Sequence, residues 1–155
     1  YFIIDAEATG QWFSWKADAN NVATFATKDN QLHFRYASGK ALKADLPETE
    51  SDFYMIAGVK TENEQKIFMN GRKAASMPKS KAIAPEAVAH LYIGNNGNSR
   101  KYGLSGSIAE MLVFNRSLKQ AERKTIGQYL SGKYDVDYTT SNNPAQAQVQ
   151  NSQQE

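Results

Sequence analysis

One stretch constrains the fold more than any other: Gly106 to Tyr134 reads GSIAEMLVFNRSLKQAERKTIGQYLSGKY, a strand pattern running into one amphipathic helix. Elsewhere the chain reads as strands. Ser107 to Phe114 is dense in apolar and β-branched residues and stops at Asn115-Arg116, a turn signal. Ser117 stands three residues before Gln120, the spacing of a capping box, so the pattern predicts a helix from Leu118 to about Leu130. Leu118, Ala121, Ile126, Tyr129 and Leu130 form its apolar stripe, while Lys119, Glu122, Arg123, Lys124 and Gln128 face water. Gly132 is placed to end it, since glycine takes the left-handed cap conformation without a Cβ clash. Such a helix lies on a sheet rather than inside a bundle.

Upstream, Phe2–Ile4, Trp12–Trp15, Val22–Thr27 and Gln31–Tyr36 are short aromatic and β-branched runs separated by turn residues at hairpin spacing. Gln31–Tyr36 alternates strictly, which sends Leu32, Phe34 and Tyr36 into a core and His33 and Arg35 to the other face. An acidic loop, Asp45–Asp52, precedes a long strand, Phe53–Lys60. Gln65–Met69 returns from it, and Asn70-Gly71 turns the chain again through positive φ. Two prolines between Ser76 and Glu86 mark an irregular connection before a strand at Ala89–Ile93. The polar loop Gly94–Ser99 follows. Beyond Tyr138 the segment TTSNNPAQAQVQNSQQE has too little apolar surface to offset its ordering entropy, so residues 139–155 are expected to be an interaction tail on a domain spanning 1–138.

The 155 residues are 41% hydrophobic, enough for one core, and no apolar run is long enough for a membrane span. A chain opening on Tyr-Phe-Ile-Ile, already strand-like, reads as a segment of a longer polypeptide. With no cysteine, it has no disulfide, thiolate nucleophile or zinc–thiolate site. The 18 basic and 16 acidic side chains leave a formal charge of +2, without the clustered basic face interleaved with aromatics that nucleic-acid binding needs.

A glycine-led strand with Ile-Ala-Glu, a Phe-Asn-Arg-Ser-Leu turn and a Glu-Arg helix ending in Tyr-Leu-Ser-Gly-Lys-Tyr together resemble the closing segment of laminin-G-like, concanavalin A-like jelly-roll domains. FYMIAGVKTENEQKIFMNGRKA, from Phe53 to Ala74, is similar to that family's strand pair ending in an Asn-Gly-Lys-type hairpin. Leu91–Asn95 and Trp12–Trp15 follow the expected order, and the resemblance covers most of Tyr1–Tyr134. It implies an all-β, concanavalin A-like jelly-roll sandwich of two antiparallel sheets with one short C-terminal helix. Because such domains usually begin with a further strand, it also implies a sheet that a partner segment could complete.

Jelly-roll enzymes that cleave glycans carry closely spaced carboxylates on one strand face, since retaining chemistry sets acid and nucleophile about 5 Å apart. Asp5-Ala6-Glu7 reads instead as a strand end, and Glu48, Glu50 and Asp52 fall in a Pro-containing loop. Glu110 is a lone acid, read as a carboxylate held by backbone or a nearby basic group, and a single acid does little chemistry. His33 and His90 have no metal-ligand spacing. Catalysis is therefore not expected.

Calcium is the one cofactor the resemblance implies, held at the sandwich rim by hard oxygen donors. Asp45 and Asn95 are the leading candidates, with Asn70, Asn96 and Asn98 beside them, although turn formation alone explains these asparagines and is the favoured reading. For a ligand, Trp12 and Trp15 offer rings that stack on sugars, and Asn70, Asn95, Asn96, Asn98 and Arg100 offer polar rim contacts. The expectation is a non-catalytic recognition or adhesion module of a larger surface or virion protein, outside the cell, binding glycan or protein. Its alternative is an assembly subunit of a virion or filament that uses the tail as a strap between copies.

Overall fold

A computed structural model describes residues 1–16, 22–36, 40–49, 51–78, 90–95 and 103–139. Among the described residues ten strands build two antiparallel sheets, consistent with a jelly-roll sandwich. The first sheet comprises β10 (Ile108–Met111), β1 (Phe2–Asp5), β6 (Phe53–Lys60), β7 (Glu64–Met69) and β8 (Arg72–Pro78), in that order. The second comprises β5 (Leu42–Asp45), β4 (Gln31–Tyr36), β3 (Val22–Lys28), β2 (Gly10–Lys16) and β9 (His90–Ile93). Helix α1 (Gln120–Tyr134) packs on the outer face of the first sheet.

The first sheet is therefore covered on both sides, and its strands divide their side chains between two cores. Phe2 and Ile4 of β1, Tyr54 and Ile56 of β6, and Ile67 and Met69 of β7 point between the sheets. Ile3 and Met55 point the other way, under Leu130 and Val136. This is why β6 is almost continuously apolar: each face of its pleat meets protein. In the second sheet the expected alternation of β4 holds, with Leu32 and Phe34 buried, Tyr36 packed at the core margin, and Arg35 exposed.

Aromatic contacts dominate the inter-sheet core. Phe25 stacks on Phe34 with ring centroids 4.4 Å apart and lies 5.6 Å from Trp12, while Phe2 meets Trp12 edge-on at 5.4 Å. Gly58 makes room for this cluster, since a Cβ there would sit 2.1 Å from Phe25 Cζ.

Several boundaries differ from those predicted. Leu42–Asp45 forms a strand at the sheet edge, so Asp45 ends an element rather than opening a loop. The hairpin after Asn70-Gly71 extends as β8 to Pro78, past the start of the expected irregular connection. The strand is assigned to Ile108–Met111; Leu112 still donates its N–H to the Tyr1 carbonyl at 2.9 Å, and Val113 and Phe114 beyond it are exposed.

The helix starts at Gln120, not Leu118, because Ser117 donates its hydroxyl to the Lys60 carbonyl and Leu118 is buried. Glu122, not Gln120, reaches back to accept the Lys119 N–H at 2.7 Å. The helix also runs through Gly132 to Tyr134, where Asp135 takes the left-handed cap at φ 51°. Lys133 and Tyr134 are held there by Glu110 of β10, a tertiary tie that outweighs the local stop signal. Tyr129 and Ala121 of the expected stripe are exposed, and Gly127 and Leu130 are the buried helical positions.

Candidate functional site

The strand directions set which loops meet. β1 ends at Asp5, β2 begins at Gly10, β4 begins opposite the end of β5, and β6 begins opposite the end of β1. Asp45, Asn70 and Asn95 consequently lie at one rim of the sandwich. Trp15, paired with Leu91 and Ala23, lies at the other. The residues grouped as one site from sequence thus divide between two ends.

The near rim holds a pocket of about 750 Å³ whose wall includes Asp5, Glu7, Glu48 and Asp52, with Thr49 and Ser51 between them. Two acidic segments remote in sequence converge because β1 pairs with β6, placing Asp5 opposite Phe53. Ala6 N–H donates to the Asp52 carbonyl at 2.8 Å, tying the segments together. Asp5 Oδ1 accepts the Glu7 N–H at 2.9 Å, a local turn bond that fixes the first carboxylate. On the other wall Tyr54 donates its hydroxyl to the Pro47 carbonyl, and Ser51 N–H donates to Thr49 Oγ1 at 3.1 Å. The result is a preformed, open basin of carboxylates and hydroxyls. It can accept hydrogen bonds from a hydroxyl-rich or cationic ligand. Glu7, Glu48 and Asp52 are exposed to water, unlike the dry setting in which an acid–base pair works.

Each predicted site residue within the described segments has a definite place. Trp12 is 0% exposed, so the expectation that its ring stacks on a ligand is corrected. The cause is an irregularity in β2 between Gln11 and Phe13 that turns Trp12 and Phe13 both inward, where strict alternation would have separated them. Thr27 Oγ1 accepts the Trp12 indole N–H at 3.4 Å, so the ring's polar edge has a partner inside the core. Trp15 is 40% exposed and lines an apolar groove of about 420 Å³ with Tyr36, Val59, Lys60 and Phe114.

Asn70 sits at the rim, but its Oδ1 accepts the Met55 N–H at 2.9 Å and its φ is 47°, which makes it a strand-joining turn residue. Asp45 Oδ1 accepts from Gln31 Nε2 at 2.8 Å. Asn95 follows Gly94, whose N–H donates to the Trp12 carbonyl at 2.8 Å. Asn96, Asn98 and Arg100 lie outside the described residues.

Calcium requires six to eight oxygen ligands. Among the described residues no three acidic or histidine side chains group to hold a metal, and Asp45 and Asn70 already have partners.

Glu110 is held by the Lys133 ammonium at 3.0 Å and the Tyr134 hydroxyl at 2.8 Å, which keep its carboxyl below the usual range. Its task is to bind the helix to the sheet edge. Sequence reading missed the meeting of Asp5 and Glu7 with Glu48 and Asp52, because neither acidic segment announces the partner strand that joins them.

A model of the concanavalin A-like lectin/glucanase superfamily matches residues 3–122, from β1 into the first turn of α1. The chain belongs to that family. No curated protein and no solved structure matches the chain. Membership supports a carbohydrate- or protein-binding module as the general role. No helix among the described residues is long and apolar enough to cross a membrane.

Proposed function

We propose that this chain is a non-catalytic recognition module of a larger extracellular, cell-surface or virion protein, and that its rim pocket binds glycan. The convergence of Asp5, Glu7, Glu48 and Asp52 with two hydroxyl residues in one basin carries the reading. Sugar hydroxyls donate to carboxylates, and a rigid basin built from bonded loops loses little entropy when it binds. Trp15, at the opposite rim, offers an exposed ring for a second contact.

A glycan array probed with the whole chain tests this, together with Glu48→Gln and Asp52→Asn variants. Binding that falls about tenfold in either variant supports the pocket, in line with loss of a charge-assisted hydrogen bond. An empty array, or glycan binding indifferent to both substitutions, would remove the reading. The assembly alternative rests on Asn142 to Glu155, which lie outside the described residues.

A further inference from the structure

On the far side of the first sheet, between its outer face and α1, lies a second concavity of opposite electrical character. It has a volume of about 210 Å³ and is lined by Lys66 and Phe68 of β7, Lys73 of β8, Gln120 and Arg123 of α1, and Tyr138 beyond the helix. Three cationic side chains meet there, and no carboxylate lines it. In a chain whose formal charge is only +2, that concentration of one sign is local.

Arg123 is held in place by neighbours that do not neutralise it. Arg123 lies 4.7 Å over the Phe68 ring, and one of its guanidinium N–H groups donates to the Leu118 carbonyl at 2.6 Å. The Arg123 carbonyl accepts from the Tyr1 and Tyr138 hydroxyls, each at 3.2 Å, which pins this turn of the helix over the sheet. Among the described residues, neither Arg123 nor Lys73 forms an ion pair, and Lys66 pairs with Glu64, which lies outside the lining. Gly71, at the mouth, keeps the wall tight: a Cβ there would lie 2.6 Å from the Tyr138 ring.

A concave, low-dielectric wall bearing one sign of charge focuses its field on the space it encloses. Arg123 and Lys73 have no counter-charge among the described residues; like charges so gathered repel one another, and an anion relieves that repulsion while accepting from guanidinium, ammonium and amide donors together. We propose that this pocket is a binding site for a compact oxyanion, a phosphate, sulfate or carboxylate carried by a small molecule, seated against Lys66, Lys73 and Arg123. The site is separate from the rim, and its ligand is of the opposite charge preference.

The test is a titration of the whole chain with inorganic phosphate at low ionic strength, followed by backbone amide shifts. Saturable shifts confined to Lys66–Lys73 and the first turn of α1 are expected. Lys73→Gln, at an exposed position, should weaken phosphate binding about tenfold, as loss of one hydrogen bond to a charged group implies. Lys66→Gln should weaken it similarly. Lys43→Gln removes the same charge from the other sheet and should leave the affinity unchanged.

Parallel titrations with sulfate and with glucuronate separate the sources of the anionic group, the tightest binder naming it. Shifts that never saturate, or an affinity lowered equally by Lys43→Gln and Lys73→Gln, would mean diffuse charge attraction and overturn the proposal. Either result leaves the rim reading standing, because no residue is shared between the two pockets.

Discussion

The ring of Tyr138 lies against the backbone of Gly127, so closely that a Cβ on Gly127 would sit 2.1 Å from Tyr138 Cε2. A glycine in mid-helix costs roughly 0.5–1 kcal/mol relative to alanine, yet here it admits the segment that follows the helix back onto its own surface. Gly127→Ala should therefore destabilise the domain by about 1–2 kcal/mol, the overpacking cost exceeding the helical gain. In a Tyr138→Ala background the same change should become neutral or stabilising. Denaturant melts of the four proteins check this, and equal effects of Gly127→Ala in both backgrounds would refute the contact.

The two tryptophans should behave as opposites. Trp12→Ala empties the centre of the aromatic core and should cost about 3–5 kcal/mol, whereas Trp15→Ala should stay within about 1 kcal/mol. Iodide should quench only the emission that Trp15→Phe removes. A quenchable Trp12 would contradict its complete burial.

Asn70→Ala separates a turn residue from a ligand contact. It removes the acceptor for the Met55 N–H and places alanine at φ 47°, so a loss of about 1–3 kcal/mol is expected with no ligand present. Asn70→Gly, which relieves the backbone but not the lost acceptor, should fall between alanine and the parent. Thermal melts rank the three; an alanine variant as stable as the parent would return Asn70 to the ligand-binding candidates.

Acid should loosen the start of the helix. Arg116, bidentate on Glu122 at 2.9 and 2.7 Å, and the Lys119 N–H hold the Glu122 carboxyl down to about 2 from its ordinary 4.5. A depressed folded value means the stabilisation is complete above about 4.5 and is lost as pH falls toward about 2. Melting temperatures between those limits should fall more steeply for the parent than for Glu122→Gln. Parallel curves would show that this carboxylate does not contribute.

Most of the strand framework is legible in the chain because period-two alternation survives wherever one face meets water, as in β4. The order of motifs around β6, β7 and α1 is enough to place the family. What escapes is set by distant contacts. Leu42–Asp45 is too short to show a pattern, and its pairing with β4 decides it. The helix ends move because Ser117 and Glu110 spend their polar atoms on Lys60, Lys133 and Tyr134. Trp12 is hidden by an irregularity invisible in sequence. The acidic basin depends on the pairing of β1 with β6, strands separated by four others along the chain.

Covering the first sheet on both sides has an evolutionary and kinetic corollary. In a half-solvated ribbon, sliding by one residue drives grease into water and is rejected at once; along Phe53–Ala57 a slip merely trades one oily neighbour for another. Fidelity of pairing must then come from shape and single bonds, from the gap at Gly58 that only Phe25 fills and from the Asn70 amide latched on Met55. Those two positions act as alignment pins for the central ribbon, and a side chain introduced at Gly58 should yield mispaired, aggregation-prone chains rather than merely weaker ones.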